Sequence, residues 1–486
     1  MTMFKIFRMR GFLASSIGVT CAAALALPLT APAAATTTTT TGAATAAART
    51  AGAAAAGPAG AAASRSLAGS TRSLAGSTQS LALEPVAPAS RDRVLGAVPE
   101  EGLYRGKVHR FSMVGVAWAD PRRALDGRVQ VRTRSVGTGA WTGWQDIETH
   151  NADHGADPGT AEAASGRRRG GTAPLWTGDS DGVQVRVRPG GSGRPAAPLP
   201  AGLRLELVDP GGEDAPPDDS ATQEDAEEDT RIGVVDAEAT AAEADADLAP
   251  LGAKAIPALD RTETERELYD LRGDELTEQQ RAKPYIGPRP RIVTRRGWGA
   301  DEGLREKGFV YTHQVKAAFV HHTVTGNKYT CAQAPSVIRG IYRYHVVSMG
   351  WRDIGYNFLV DKCGTIYEGR AGGVAEPVLG AHTLGFNTDS MGIAVIGTFT
   401  KSKPSTAAVE AVAKLTAWKL GLYGGNPSGK TYLKSGGGNL YRKGKNVRLN
   451  VISGHRDGFA TECPGRLLYG KLGTARSTAA HYQGRR

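Results

Sequence analysis

Near the end of the 486-residue chain, Gly454-His455-Arg456-Asp457-Gly458-Phe459-Ala460-Thr461-Glu462-Cys463 sets a His and a Cys eight residues apart. Far upstream, Val320-His321-His322-Thr323 adds two more imidazoles. Two His and one Cys form a set that Zn²⁺ accepts when the fourth position stays open to water. Such an open site is hydrolytic in character, because the ion lowers the pKa of its water and polarises a carbonyl. A site closed by four protein ligands is instead structural. His321 and His322 are neighbours on an apolar run, and adjacent strand residues point to opposite faces. Only one of them reaches a shared metal, and periodicity leaves the choice open.

The elements around these residues read as follows. Residues 317–320 form a buried strand that delivers the His pair at its end, and 451–452 a second strand leading into His455. Helical spacing covers 335–348 through Val337, Ile338, Ile341, Tyr344 and His345. Residues 357–360 and 365–368 read as a hairpin around Cys363-Gly364, and 392–396 as a central strand. Residues 405–420 form an amphipathic helix capped by Ser405. This mixed order predicts an α/β domain, one mixed sheet with helices packed on it.

The rest of the chain divides by composition. Lys5, Arg8 and Arg10 precede an apolar stretch and Ala33-Ala34-Ala35, which reads as a secretory signal peptide over residues 1–35. No later stretch is long and apolar enough to span a bilayer, so no stable membrane anchor is expected. Residues 36–100 are rich in Ala, Thr, Gly and Ser and predict a disordered tether. Within 101–209, alternating runs such as Arg128-Val129-Gln130-Val131-Arg132 predict a small all-β, sandwich-like accessory domain. Its Trp141, Trp144 and Trp176 form either a sugar-stacking surface or core. Residues 210–289 are expected to be an acidic linker with one helix near 258–283. From 209 to 250 there are 15 acidic residues against one basic, Arg231, which predicts an extended, self-repelling chain. Residues 291–486 carry 28 Lys plus Arg against 11 Asp plus Glu, a net of +17. That field suits an anionic polymer, and no nucleic-acid motif accompanies it.

A resemblance sharpens this reading. Arg291-Ile-Val-Thr-Arg-Arg-Gly-Trp298-Gly, Phe319-Val-His321-His322-Thr323, Asp353-Ile-Gly-Tyr356-Asn357-Phe358, Gly364-Thr-Ile-Tyr-Glu368-Gly-Arg370, Gly380-Ala-His382, Asn387, Ser390-Met-Gly-Ile and Gly454-His455-Arg-Asp follow the order seen in peptidoglycan recognition proteins. The same order is similar to the phage-lysozyme type of zinc-dependent N-acetylmuramoyl-L-alanine amidase. The resemblance covers about residues 290–475, about two fifths of the chain, within a domain expected over 290–480.

It implies a Zn²⁺ held by His321, His455 and Cys463, with His322 as packing. It implies Tyr356 as an oxyanion donor and Thr461 as a residue that positions water or oxyanion. His382, Asn387, His345 and Arg370 match groove positions that hold muramyl peptide. Cys21 leaves with the signal peptide, and with Cys463 on the metal a Cys331–Cys363 disulfide is the economical pairing for an oxidising compartment. The implied protein is secreted, cell-wall associated and monomeric, with peptidoglycan, its muramyl peptides and anionic wall polymers as partners. The alternative within the same family is a recognition protein that binds without cutting. Non-catalytic relatives typically lack the Cys ligand, whereas Cys463 and Tyr356 are both present. The family's Gly-Trp pair after Gly-Arg is absent, Arg370 being followed by Ala371-Gly372-Gly373-Val374, so the stem-peptide class is left unassigned. Residues 423–445 are expected to be an inserted mobile basic flap. Every residue given a chemical role lies in 291–486, so that segment is expected to fold and act alone.

Overall fold

A computed structural model of the protein describes residues 76–86, 100–149, 153–190, 197–212 and 228–486. The expected signal peptide, most of the expected tether and residues 213–227 of the acidic stretch lie outside the described residues.

The N-terminal domain is antiparallel throughout. Its long strand Leu175–Pro189 pairs with Glu101–Arg105, Phe111–Trp118 and Gly127–Ser135. Val129, Val131, Val183, Val185 and Val187 turn inward to one apolar core, while Arg128 and Arg188 on the same strands face out. The period-two alternation is therefore that of a half-buried sheet. One boundary needs correction. The strand Ser77–Ala82, inside the stretch expected as tether, pairs residue by residue with Arg204–Asp209. Composition did not show it because its stabilisation comes from a partner strand about 125 residues away rather than from its own apolar content.

The C-terminal domain is a seven-stranded mixed sheet. Its order is Ala255–Ile256, Ile292–Val293, Ile366–Glu368, Phe358–Val360, Ser390–Val395, Ala317–His322, Ile452–Gly454. The helix Thr406–Gly421, capped by Ser405, packs on one face with Leu472–Tyr482 beside it. The helix Ala334–Arg343, continued by the wider turn Tyr344–Ser348, packs on the other. The disulfide Cys331–Cys363 ties the start of that helix to the hairpin turn.

Three expectations about connecting segments are corrected. Residues 228–243, expected to be extended, form a helix whose buried Ala237 receives the Arg305 guanidinium on its carbonyl. Ala- and Glu-rich sequence has high helix propensity, and docking on a basic surface offsets the repulsion. The single helix expected near 258–283 breaks into Arg261–Arg272 and Glu278–Ala282, because Asp260 and Thr277 each form a capping box. Residues 423–445 are not a loose flap. Lys430–Lys434 pairs with Asn446–Asn450, and Leu433, Val447 and Leu449 pack under Ala317, Phe319 and Phe386.

The two domains share a core. Met113, Trp176 and Val208 of the first are buried with Trp298, Val337, Ile341 and Tyr344 of the second. Gly115 admits the Tyr344 ring, since a Cβ there would lie 2.6 Å from it. Tyr344 then donates its hydroxyl to the Thr172 carbonyl at 3.0 Å. Trp176 is thus core, not a sugar platform. Trp141 and Trp144 lie at the surface under Arg132, and Trp141 stacks on Tyr104.

Candidate metal site and its groove

The strand Ala317–His322 alternates cleanly. Ala318 and Val320 face the Thr406–Gly421 helix, while Ala317 and Phe319 face Phe386 on the opposite side. His321 continues the Phe319 side into the groove. His322 turns the other way, where its Nδ1 accepts the Phe399 amide at 3.2 Å. The choice that periodicity left open is made by which layer covers each face. Parallel pairing of Val320 with Gly454 then places His455 beside His321. The following loop returns Cys463 to the same point, its amide donated to Thr461 Oγ1 at 3.2 Å.

His321 Nδ1 lies 3.1 Å from His455 Nδ1 and 3.7 Å from Cys463 Sγ. Ligand atoms on one tetrahedral zinc stand about 3.3–3.8 Å apart, given bonds of about 2.0–2.3 Å. His321 and His455 are fully buried, and Cys463 is 4% exposed. Burial pushes the His321 pKa well below its usual value and that of His455 down to about 3. Both rings are therefore neutral and keep a lone pair for a metal. Burial also pushes the Cys463 thiol up. A cation is what would turn it into a thiolate. His455 Nε2 is buried without a hydrogen-bond partner. The donor set and its spacing fit zinc.

Behind the cluster, His321 Nε2 meets His382 Nδ1 at 3.3 Å and Thr383 Oγ1 at 3.4 Å. Asn387 Oδ1 accepts the amides of His382 and Thr383 at 2.7 and 3.0 Å. Gly392 makes room for the His382 ring, because a Cβ there would lie 2.4 Å from it. His382 is thus placed to orient His321, as partners of ligating imidazoles do. Tyr356 sits over the cluster, its ring 5.4 Å from that of His321. Asp353, in the same motif, accepts the amides of Ile354 and Ala371 and pairs with Arg295, which holds the turn carrying Tyr356. His345 stacks on Trp351 and accepts the Gly355 amide at 3.2 Å.

Sequence reasoning missed His154. The ligand atoms of His154, His321, His455 and Cys463 all lie within 4.8 Å of one another. His154 Nδ1 is paired with Asp153 Oδ1 at 3.0 Å, and its Nε2 is buried without a partner. An imidazole oriented by a carboxylate, with its other nitrogen free, is the usual state of a metal-bound His. The described residues therefore bring together four candidate ligands, the three expected from the sequence and His154. The signal was Asp153-His154-Gly155 in a stretch without strand alternation, but nothing local connects it to a domain so far along the chain.

The same segment fills the groove. Asp157 accepts the Gly385 amide at 2.7 Å and the Asn387 Nδ2 at 2.6 Å, and Gly155 accepts the same Nδ2 at 2.9 Å. Glu162 holds Arg370 in a two-point ion pair at 2.8 and 2.9 Å. Burial raises the Glu162 pKa, but the Arg370 charge and hydrogen bonds outweigh it and hold the carboxyl below its usual range. Asp153 Oδ2 lies 3.8 Å from His455 Nδ1. Of the residues expected to bind substrate, Arg370 and Asn387 are thus engaged by the N-terminal domain, and His382 and His345 are buried behind the ligands and Tyr356.

Residues 69–226 match the family described as Rv3811 N-terminal galactose-binding domain-like, and residues 311–466 match N-acetylmuramoyl-L-alanine amidase. A peptidoglycan recognition protein of Trichoplusia ni is 31% identical over 182 residues, 37% of this chain and 85% of the relative. Peptidoglycan-recognition protein 1 of Holotrichia diomphalia is 34% identical over 184 residues, 38% of this chain and 79% of the relative. Among solved structures, peptidoglycan recognition protein-LE in complex with tracheal cytotoxin is 32% identical, covering 38% of this chain and 92% of that one, with a TM-score of 0.29. The two relatives are 31% and 34% identical and matched over 85% and 79% of their length, and so the chain belongs, through its C-terminal domain, to the peptidoglycan recognition and amidase family.

Proposed function

We propose that the protein is a secreted, wall-associated, zinc-dependent amidase that hydrolyses the N-acetylmuramoyl-L-alanine bond of peptidoglycan. The observation that carries this reading is the convergence of His321, His455 and Cys463 on one point beneath Tyr356. A bound zinc would supply an activated water and a polarised carbonyl, which an unreactive amide requires. The protein's own groups do the rest. His382 and Thr383 orient His321. Burial drives the Tyr356 pKa well above its usual value, so the phenol stays protonated and can donate to the developing oxyanion. Thr461, within its loop, is assigned the positioning of water. Arg370 and Asn387 are assigned the carboxylates and amides of the stem peptide. The relatives' printed names support peptidoglycan as the partner, and the +17 charge of residues 291–486 supports an anionic wall. Among the described residues no helix is long and apolar enough to cross a membrane.

The test is mass spectrometry of muramyl peptide incubated with the zinc-loaded chain, with and without chelator. Release of free stem peptide that chelator abolishes is the expected result. Binding without any release would favour the recognition reading.

A further inference from the structure

Residues 153–162 run between strands of the N-terminal domain, a place where Asp, Glu and His are normally solvated. Here Asp153, His154, Asp157 and Glu162 are between 4% and 8% exposed. Each is spent on the groove of the other domain. His154 joins the metal cluster, Asp157 takes the loop of Asn387, and Glu162 takes Arg370. Backbone bonds continue the contact, from Leu384 N to Asp153 O at 3.0 Å and from Gly155 N to Ala381 O at 3.2 Å.

We propose that residues 153–162 are an intramolecular cap that keeps the site latent. His154 closes the metal's fourth position, and the carboxylates of Asp157 and Glu162 occupy the donors assigned to the stem peptide. This rests on the amidase reading for what is being blocked, but the cap itself rests on geometry.

Two features make the cap revocable rather than structural. Withdrawal of His154 would leave His321, His455 and Cys463 in place, and water would then restore an open, hydrolytic site on a bound metal. The remaining ties are polar groups that water satisfies once they withdraw, so each costs far less to break than a buried strand. Because cap and muramyl peptide claim the same groups, their binding is mutually exclusive, and each weakens the other by the same factor.

The experiment uses the full chain with Co²⁺ in place of zinc. Acetohydroxamate is titrated in and followed by the cobalt absorption, in parallel with turnover of muramyl peptide by the zinc form. His154→Ala should keep its metal, bind hydroxamate about tenfold tighter or more, and gain turnover by a similar factor. Glu162→Gln loosens the cap without touching the cluster and should move both readouts the same way, by less. Equal hydroxamate binding by wild type and both variants would overturn the cap. So would loss of metal from His154→Ala on dialysis, which would make His154 a permanent structural ligand. If probe access rises in the variants while none releases stem peptide, the cap stands and the amidase reading falls. If all cleave equally and bind the probe equally, the amidase reading stands and the cap falls.

Discussion

His455 and His154 face the same point from opposite kinds of support. His455 ends the strand Ile452–Gly454, hydrogen-bonded along Ala317–His322 and covered by helices on a dry face. His154 sits on a segment held mainly by carboxylates, amides and one guanidinium. A ligand on a buried strand is pre-positioned, and moving it means breaking the sheet. A ligand on a polar segment can leave at the cost of a few exchangeable hydrogen bonds. The contrast separates the groups proposed to hold a metal from the group proposed to regulate access to it.

The largest effect is expected from removing the N-terminal domain altogether. Residues 228–486 alone would uncover Ile341, Tyr344 and Met349, and each large apolar side chain exposed costs about 1.5–3 kcal/mol. We expect aggregation and a lower melting temperature, read by light scattering and calorimetry. A soluble fragment melting like the full chain would make the shared core incidental.

Replacing a strand-end or loop ligand comes next. Cys463→Ala or His455→Ala should strip zinc and abolish stem-peptide release while wall binding persists, measured by metal analysis and pull-down on purified wall. Full activity in a metal-free variant would end the zinc assignment. Tyr356→Phe should keep the metal and lower turnover by about 10²–10³-fold, or about 3–4 kcal/mol of oxyanion stabilisation. Unchanged turnover would remove Tyr356 from the chemistry. The smallest effect is expected behind the ligands. His382→Ala should weaken metal affinity by about 10–100-fold through loss of His321 orientation, read by chelator competition. A change confined to KM would instead make His382 a substrate contact.

Much of this site was legible in order along the chain. His321, His455, Cys463 and Tyr356 stand in motifs whose neighbours match a family, and the strands and helices around them follow from apolar periodicity. The Cys331–Cys363 bond followed from counting thiols once the resemblance had set Cys463 aside as a metal ligand. Less was legible where partners are distant. The edge strand Ser77–Ala82 carries little apolar content of its own, and Leu433, Val447 and Leu449 read as scattered residues until the hairpin closes.

Residue type and period-two or helical spacing are local properties, and they were enough to single out His321, His455, Cys463 and Tyr356 as candidates and the sheet that presents them. The sequence also determined the basic charge of the C-terminal domain. Periodicity left His321 and His322 equivalent and the resemblance favoured His321; the tertiary structure gives the reason, because different layers cover the two faces of a strand apolar on both. Only the tertiary structure decided that the β domain completes the site. Asp153, His154, Asp157 and Glu162 acquire their meaning from groups far along the chain in the other domain, and that pairing goes with domain docking at Gly115 and Tyr344, which no local pattern encodes.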